Sequence, residues 1–360
     1  MSANTMLVTG ASGFLGGRVV EMLHLSGFAA PRAGVRRWSG CARIARIPTE
    51  VVMCDIMQPD QIAQAIQGAN LVAHCAYTDT EETIVEGTRN MLEAAYNQGV
   101  DRFVFISTAE VYGDKVSGDI DESMPAQPSG WVYPDSKIKA EQLCLDYHAK
   151  GLPVTILRPS IVYGPFSETW ITNYALRLLS GNWGVIKKYG EGFCNLIYVD
   201  DLVYAIFEAA RNPNAVGQVF NVNGPDKITW NDYFRAFNAA LGLPDLREID
   251  PTQQRLKSTV MDFTRSSAVY VKNQFGPQIG KVARIFMSFE QREAMRQRMR
   301  RAKATVNTNP IRRDLDRLYS RQAYFVATKA RDTMNFSPRF NAHAGLDLSI
   351  AWLKHHEIVN

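Results

Sequence analysis

Tyr133 and Lys137 stand four residues apart in the run Tyr133-Pro134-Asp135-Ser136-Lys137. On a helix, that spacing puts both side chains on one face. A phenol with its ordinary pKa of about 10 is a poor base at neutral pH. A neighbouring ammonium favours the phenolate, and such a pair can move a proton to or from a hydroxyl or carbonyl oxygen. Thr108 follows the apolar run Phe103-Val104-Phe105-Ile106, and its hydroxyl can bond that same oxygen, with Ser107 as the neighbouring candidate. A Tyr and a Lys also meet on helices by chance, and a turn hydroxyl often only caps a helix, so the rest of the chain must decide.

The deciding pattern lies at the start. Met6-Leu7-Val8 reads as a buried strand, Thr9-Gly10-Ala11-Ser12-Gly13-Phe14-Leu15-Gly16 follows at once, and a helix pattern then places Leu15, Val19, Val20 and Leu23 on one side. Glycines at such a turn let the chain reverse tightly and let the backbone approach a pyrophosphate. The helix start offers free amides and a positive dipole end to the anion. Three glycines alone mean little, but between a strand and a helix they point to a dinucleotide. Pro134, just inside the Tyr133 helix, suits a first-turn position.

Strand and helix patterns alternate through the first half. Phe28 to Arg36 is a weak strand, interrupted by Pro31 and Gly34, and Glu50 to Cys54 is a strand ending at Asp55. Gln61 to Gln67 is a short helix, Asn70 to Ala76 a buried strand, and Glu81 to Gln98 a helix with Ile84, Val85, Met91, Leu92 and Ala95 as apolar positions. Phe103 to Ile106 is a strand, Ser136 to Lys150 a helix, and Val154 to Leu157 a further strand. The pattern predicts an α/β fold: a Rossmann-type doubly wound parallel sheet, with ligand at the carboxyl ends of its strands. Past Pro159 the rhythm breaks into Gly/Pro/Asn loops, which predicts a smaller mixed C-terminal substrate lobe. The expected division is 1–165 for the dinucleotide core, rejoined by 193–222, and 166–192 with 223–360 mainly for the lobe. Within the returning stretch, Ile197 to Ala210 reads as a strand and helix returned to the main sheet.

Composition narrows the class. The formal charge of +4 does not suggest a nucleic-acid partner, and no run reaches the roughly twenty apolar residues that span a bilayer. The first strand begins so early that no signal peptide is expected, and the expected compartment is cytoplasmic. Cys41, Cys54, Cys75, Cys144 and Cys194 are odd in number and scattered, so neither a disulfide framework nor a zinc knuckle is expected. The six histidines form no metal-binding pair, and no metal is expected. Between Arg292 and Arg321, ten Lys/Arg face three Asp/Glu, read as a solvated helix face ahead of an anionic-substrate rim, a partner surface or contact with acidic lipid. Aromatic residues are too sparse there for a base-stacking platform.

Taken together these motifs resemble the extended short-chain dehydrogenase/reductase superfamily, in its branch of nucleotide-sugar epimerases, dehydratases and reductases. The resemblance rests on Gly10, Gly13 and Gly16, on His74-Cys75-Ala76, on Ser107-Thr108-Ala109-Glu110-Val111-Tyr112-Gly113, and on Tyr133 with Lys137. Arg158-Pro159-Ser160-Ile161-Val162-Tyr163-Gly164-Pro165, Tyr198-Val199-Asp200-Asp201-Leu202 and Lys329-Ala330-Arg331 through Phe336-Ser337-Pro338 extend it. It implies Thr108, Tyr133 and Lys137 as catalytic, with Lys137 lowering the tyrosine pKa and anchoring the cofactor ribose. It implies Asp55 at the adenine amino group and further cofactor contacts from Phe14, Leu15, Ile56, Cys75, Ala76, Pro159 and Ile161. Substrate contacts are expected from Ser107, Ala109, Glu110, Cys194 and Arg321. It also implies a homodimer through the helix after strand four and the Tyr133 helix, where Ile138, Leu143 and Leu145 are apolar.

Where an acid after strand two would bond a ribose 2′-hydroxyl and repel a phosphate, this chain has Gly34-Val35-Arg36-Arg37. Arginine offers a fork suited to phosphate, so Arg36 and Arg37 favour NADP(H), with NAD(H) as the alternative. Three departures bear on the reaction. Ala109 stands where dehydratases carry an acidic Asp, Cys194 where many members place an Arg on the nucleotide diphosphate, and Ile84 where an Asn is usual. The leading expectation is a nucleotide-sugar ketoreductase or 4-epimerase. The alternatives are a reductase of a small aldehyde or ketone and a noncatalytic dinucleotide-binding regulatory protein.

Overall fold

Strand periodicity sets the layers of the first half. Met6 and Val8 are fully buried on one face of a sheet and Leu7 on the other; Val104 and Ile106 share the first face, Phe103 and Phe105 the second. The structure is a computed structural model that describes residues 4–181, 183–187, 189–249 and 313–359. In chain order its elements begin β1 (Thr5–Thr9), α1 (Phe14–Ser26), β2 (Ala30–Val35), β3 (Glu50–Met53), α2 (Pro59–Ile66), β4 (Leu71–His74), α3 (Glu81–Gln98), β5 (Arg102–Ile106), β6 (Gly118–Ile120) and α4 (Val132–Ala149). They continue β7 (Val154–Pro159), β8 (Ile161–Tyr163), α5 (Asn173–Leu179), β9 (Val185–Ile186), β10 (Leu196–Tyr198), α6 (Val199–Arg211), β11 (Val219–Val222), α7 (Trp230–Ala240), β12 (Glu248–Ile249) and β13 (Ala323–Phe325). Helices Arg313–Ser320, Thr328–Met334 and Ala342–His355 complete the set.

Seven strands form one parallel sheet in the order β11-β7-β5-β4-β1-β2-β3. This is the doubly wound arrangement, with α1 and α6 packed on one face and α2, α3 and α4 on the other. The order reverses between β1 and β4, and ligands of such sheets bind in the crevice beyond the strand ends at that point.

The weak second strand forms because its two awkward residues sit where they are tolerated. Pro31 pairs only with β1, since the ladder to β3 starts at Arg32, so its missing N–H interrupts nothing on the other side. At Gly34 a Cβ would stand 3.1 Å from Cys54 Cβ and 3.2 Å from Val8 O, so neighbouring strands fit closely there. One expectation is corrected. β10 does not return to the main sheet; it pairs with β8 in a separate two-stranded sheet, and β11 is the seventh strand. α6 does return, because ten of its residues are buried and its apolar stripe joins the cluster under β1, β2 and β5. Asp200 and Asp201 at its start hold it: Asp200 takes both ends of the Arg18 guanidinium at 2.6 and 2.7 Å, and Asp201 accepts the amides of Arg339 and Phe340 at 2.9 and 3.0 Å.

The chain divides into two compact units, Met1–Ser167 with Asn195–Lys227 and Gln322–Gly345, and Glu168–Cys194 with Ile228–Arg321 and Leu346–Asn360. Residues 322–345 thus pack with the first unit, although most of 223–360 was expected in the smaller lobe. The cause is visible in β13, which pairs with β6 and brings Ala323 and Phe325 against Tyr112 and Ile120. The second unit has an aromatic core of Tyr174, Trp183, Trp230, Phe234 and Tyr319, with the Tyr174 and Tyr319 hydroxyls 2.7 Å apart. Ile138 and Leu143 pack within the first unit, whereas Leu145 is exposed. Among the described residues, no helix is long and apolar enough to cross a membrane. Most of the basic 292–321 stretch lies outside the described residues.

Candidate functional site

The turn after β1 is a backbone cradle. Gly10 has φ +67°, a left-handed conformation that favours glycine, and a Cβ there would stand 2.9 Å from both Ala76 Cα and Cys75 O. A Cβ on Gly16 would run into the Gly10 carbonyl. These glycines let α1 start against β1 while the segment after β4 closes beside it, at the point where the strand order reverses. Ser12 and Gly13 are exposed at the tip, and Phe14 and Leu15 are half-buried behind it. Gly13 caps α1 with no side-chain hydrogen bond, and the first turn carries no acid. The amides at the helix start therefore face outward toward an anion without a competing carboxylate, which fits a dinucleotide pyrophosphate. Asp55 lies two residues past β3, where its carboxylate accepts the Met57 amide at 3.0 Å; Ile56 beside it is buried against Gly87.

The second part of the site is built of side chains. Ser107 and Thr108 follow β5 and are both buried, as is Ala109; Glu110 is half-buried in the short turn Ala109–Tyr112. Thr108 Oγ1 accepts the Glu110 amide at 3.2 Å, and its hydroxyl stands beside the Tyr133 phenol. α4 begins at Val132, four residues earlier than the sequence suggested, because Asp135 reaches back to accept the Ser129 and Gly130 amides at 2.8 and 2.9 Å. Tyr133 and Lys137 thus occupy its first two turns. Lys137 Nζ donates to the Ile106 carbonyl at 2.7 Å and lies 4.7 Å from the Phe105 ring centre. Pro159 is buried and Ile161 half-buried where β7 passes into β8.

Burial dominates at the Tyr133 phenol. Burial pushes it above its ordinary value, the neighbouring Tyr77 and Glu110 add to that, and the Thr108 hydroxyl only partly offsets them. Lys137 sits 6.0 Å from the Tyr133 ring centre with its ammonium committed to Ile106, and burial brings its own pKa down to about 8. This setting favours the neutral phenol, the form that can donate a proton.

Two further groups carry no assignment from sequence. Glu141, two turns along α4 from Tyr133, accepts Arg158 Nε at 2.9 Å and Nη2 at 2.6 Å and the Ser107 hydroxyl at 2.5 Å. Its signal was present as the i+4 and i+8 position on the Tyr133–Lys137 face. His74 bridges Thr9 Oγ1 at 2.8 Å and Thr88 Oγ1 at 3.3 Å; burial, with Lys137 nearby, holds it neutral down to about 3. Ile84, in place of the expected Asn, is buried in the apolar cluster under α2, α3 and α4. Cys194 and Arg321 belong to the second unit, where both are buried. Burial keeps the Cys194 thiol well above its ordinary value, and its amide bonds Ile228 O at 2.8 Å. Among the described residues, no cluster of His, Cys, Asp or Glu could hold a metal.

Comparison with known proteins places this geometry. The pattern of the NAD dependent epimerase/dehydratase family matches residues 6–223. The chain is similar to dTDP-glucose 4,6-dehydratase of Streptomyces antibioticus, 29% identical over 69% of this chain and 81% of that protein. It is also similar to 2-alkyl-3-oxoalkanoate reductase of Shewanella oneidensis, 27% identical over 68% of each. In fold it resembles UDP-glucuronic acid 4-epimerase from Bacillus cereus in complex with NAD, with a TM-score of 0.69 and 17% identity over 98% of this chain and 99% of that one. The similar solved structures described as nicotinamide complexes hold NAD. That overturns the expectation of NADP(H). The physical reason lies in Arg36 and Arg37, which are exposed just past β2. An exposed arginine is a solvated charge and does not by itself call for a phosphate.

Proposed function

This chain belongs to the NAD dependent epimerase/dehydratase family, and from that premise we propose that it is an NAD-linked ketoreductase or 4-epimerase of a nucleotide sugar. The observation that carries the reading is the meeting of Thr108, Tyr133 and Lys137 at the end of β5, two strands from the glycine cradle at the end of β1. When bound at that cradle, NAD(H) supplies or accepts the hydride. Tyr133, held neutral, gives its proton to the carbonyl oxygen as that carbon is reduced. Thr108, whose oxygen accepts the Glu110 amide, can turn its hydroxyl hydrogen to the same oxygen. Lys137 adds positive charge beside the phenol below about pH 8, which steadies a phenolate left by proton transfer. Ala109 cannot donate a proton, so the acid step of 4,6-dehydration lacks its usual group here, despite the dehydratase relative.

A reductase of small ketones is the second reading, and the buried, neutral Cys194 favours it, since a thiol in that state offers no charge to a diphosphate. The test offers purified protein and NADH a nucleoside-diphosphate 4-keto-sugar and, separately, a panel of small ketones. A UDP-hexose offered with NAD checks interconversion without net cofactor use. NADH oxidation with the keto-sugar, or hexose interconversion, supports the leading reading. Oxidation with small ketones alone supports the second, and neither activity refutes both.

A further inference from the structure

The buried network behind the reacting groups has more structure than a stability element needs. The Glu141–Arg158 pair is almost wholly out of solvent, with side chains 6% and 8% exposed. Such a pair is often no more stabilising than a well-packed apolar pair of the same volume. Here Glu141 has an added task, because the same Oε1 that accepts Arg158 Nε also accepts the Ser107 hydroxyl. Arg158 is fixed in turn from its far side, donating to the Tyr112 hydroxyl at 3.0 Å with its guanidinium 4.9 Å from that ring centre. Tyr112 passes the tie on to Asn221 of β11 at 2.7 Å. Two successive turns of α4 thus grip the end of β5, Lys137 at Ile106 and Glu141 at Ser107, with Tyr133 one turn earlier beside Thr108.

We propose that Ser107 and Glu141, braced by Arg158, are positioning residues that hold the end of β5 so that the Thr108 hydroxyl meets the Tyr133 phenol. The inference rests on the reading of Tyr133 and Thr108 as the proton-transfer pair. Ser107 touches Glu141 rather than the reacting oxygen, so it acts through Thr108. A bond from a hydroxyl to a buried carboxylate is charge-assisted, and it stands one residue from the group whose placement counts.

The test uses the full chain and Ser107→Ala, which leaves the Glu141–Arg158 pair intact and so avoids an uncompensated buried charge. Misplacement of a reacting group by about 1 Å can cost on the order of 100-fold in rate, so kcat is expected to fall about 10- to 100-fold with KM for NADH and for substrate nearly unchanged. Ser107→Thr, which restores the hydroxyl, should recover most of kcat. Ser107→Ala added to Tyr133→Phe should cost little more than Tyr133→Phe alone, because both act on one step. Amide hydrogen exchange over residues 106–108 should quicken about tenfold in Ser107→Ala, whether or not a substrate is known. A kcat within about twofold of wild type, or unchanged exchange, overturns the inference. A wild-type protein that turns over no carbonyl substrate overturns the catalytic reading instead, and exchange then decides the brace by itself.

Discussion

The carboxyl ends of β1 and β5 stand two strands apart in one sheet and solve different problems in different materials. At β1 the work falls to backbone: Gly10, Gly13 and Gly16 exclude side chains so that amides and a helix start can face an anion. At β5 it falls to side chains held in place by buried charge: Thr108, Tyr133 and Lys137 in front, Ser107, Glu141 and Arg158 behind. A backbone site is made by what is missing and tolerates almost no substitution. A side-chain site is made by what is present, and its precision depends on residues that never meet the substrate. Between the two, on β4, His74 ties the β1 end through Thr9 and stands near Lys137.

Removing the phenol oxygen should separate the two ends most sharply. Tyr133→Phe takes away the proton donor and leaves the glycine cradle untouched. General-acid catalysis is worth about 10²–10⁴-fold, so kcat should fall by that factor while the Kd for NADH, read by fluorescence titration, stays near wild type. If NADH affinity fell in parallel with kcat, the division between a backbone cofactor site and a side-chain reaction site would be wrong.

His74 tests the bridge between the ends. Its folded pKa is about 3, below the ordinary 6.5. An unfolded chain therefore takes up a proton that the folded chain refuses. The stability this contributes is complete above about pH 6.5 and is lost as pH falls toward 3. Burial works to raise the Glu21 carboxyl, but Arg43, Arg18 and Arg46 hold it down to about 2, so its own loss begins only below about 4.5. Between pH 6.5 and 4.5 the His74 loss is therefore not masked by Glu21. Urea midpoints across that window should decline in wild type and flatten in His74→Asn, a difference reaching a few kcal/mol at the acid end. Parallel slopes in the two proteins would show that His74 is not held neutral.

The same comparison explains what could be read from the chain. The β1 end was legible because a spacing of glycines between strand and helix has few other physical uses. The α/β sheet was legible from alternating apolar runs, and Tyr133 and Lys137 from a four-residue interval. Glu141 was not, although it continues that interval, because Arg158 and Ser107 reach it from distant parts of the chain and only the fold joins them. The burial of Tyr133 was hidden for a related reason: proximity to Lys137 follows from helical spacing, but burial and the Ile106 carbonyl that takes the ammonium do not. The fate of Ile197 to Tyr198 turned on the choice of partner, since β10 joins β8 while β11 takes the β7 edge of the main sheet, and local pattern does not choose between them.

Gly16→Ala sharpens the backbone side of the contrast. The added methyl meets the Gly10 carbonyl, a backbone atom that cannot turn away. Overpacking of that kind costs roughly 1–3 kcal/mol. The variant should melt at lower temperature and bind NADH more weakly, and saturating NADH should restore much of kcat because the β5 end is intact. An unchanged melting temperature and Kd would mean that the turn has slack to give.

Arg36→Ala should do least. The side chain is exposed directly beyond β2, and surface substitutions away from special features usually stay within about 0.5 kcal/mol. Losing one positive charge near the cofactor crevice should weaken NADH by no more than about twofold, and less as salt rises, because exposed charges are screened over about 8–10 Å at ordinary ionic strength. A larger, salt-insensitive loss would place Arg36 in direct contact with the cofactor. Side chains as well as backbone would then serve that half of the site, and the contrast between the two strand ends would narrow to the glycine turn itself.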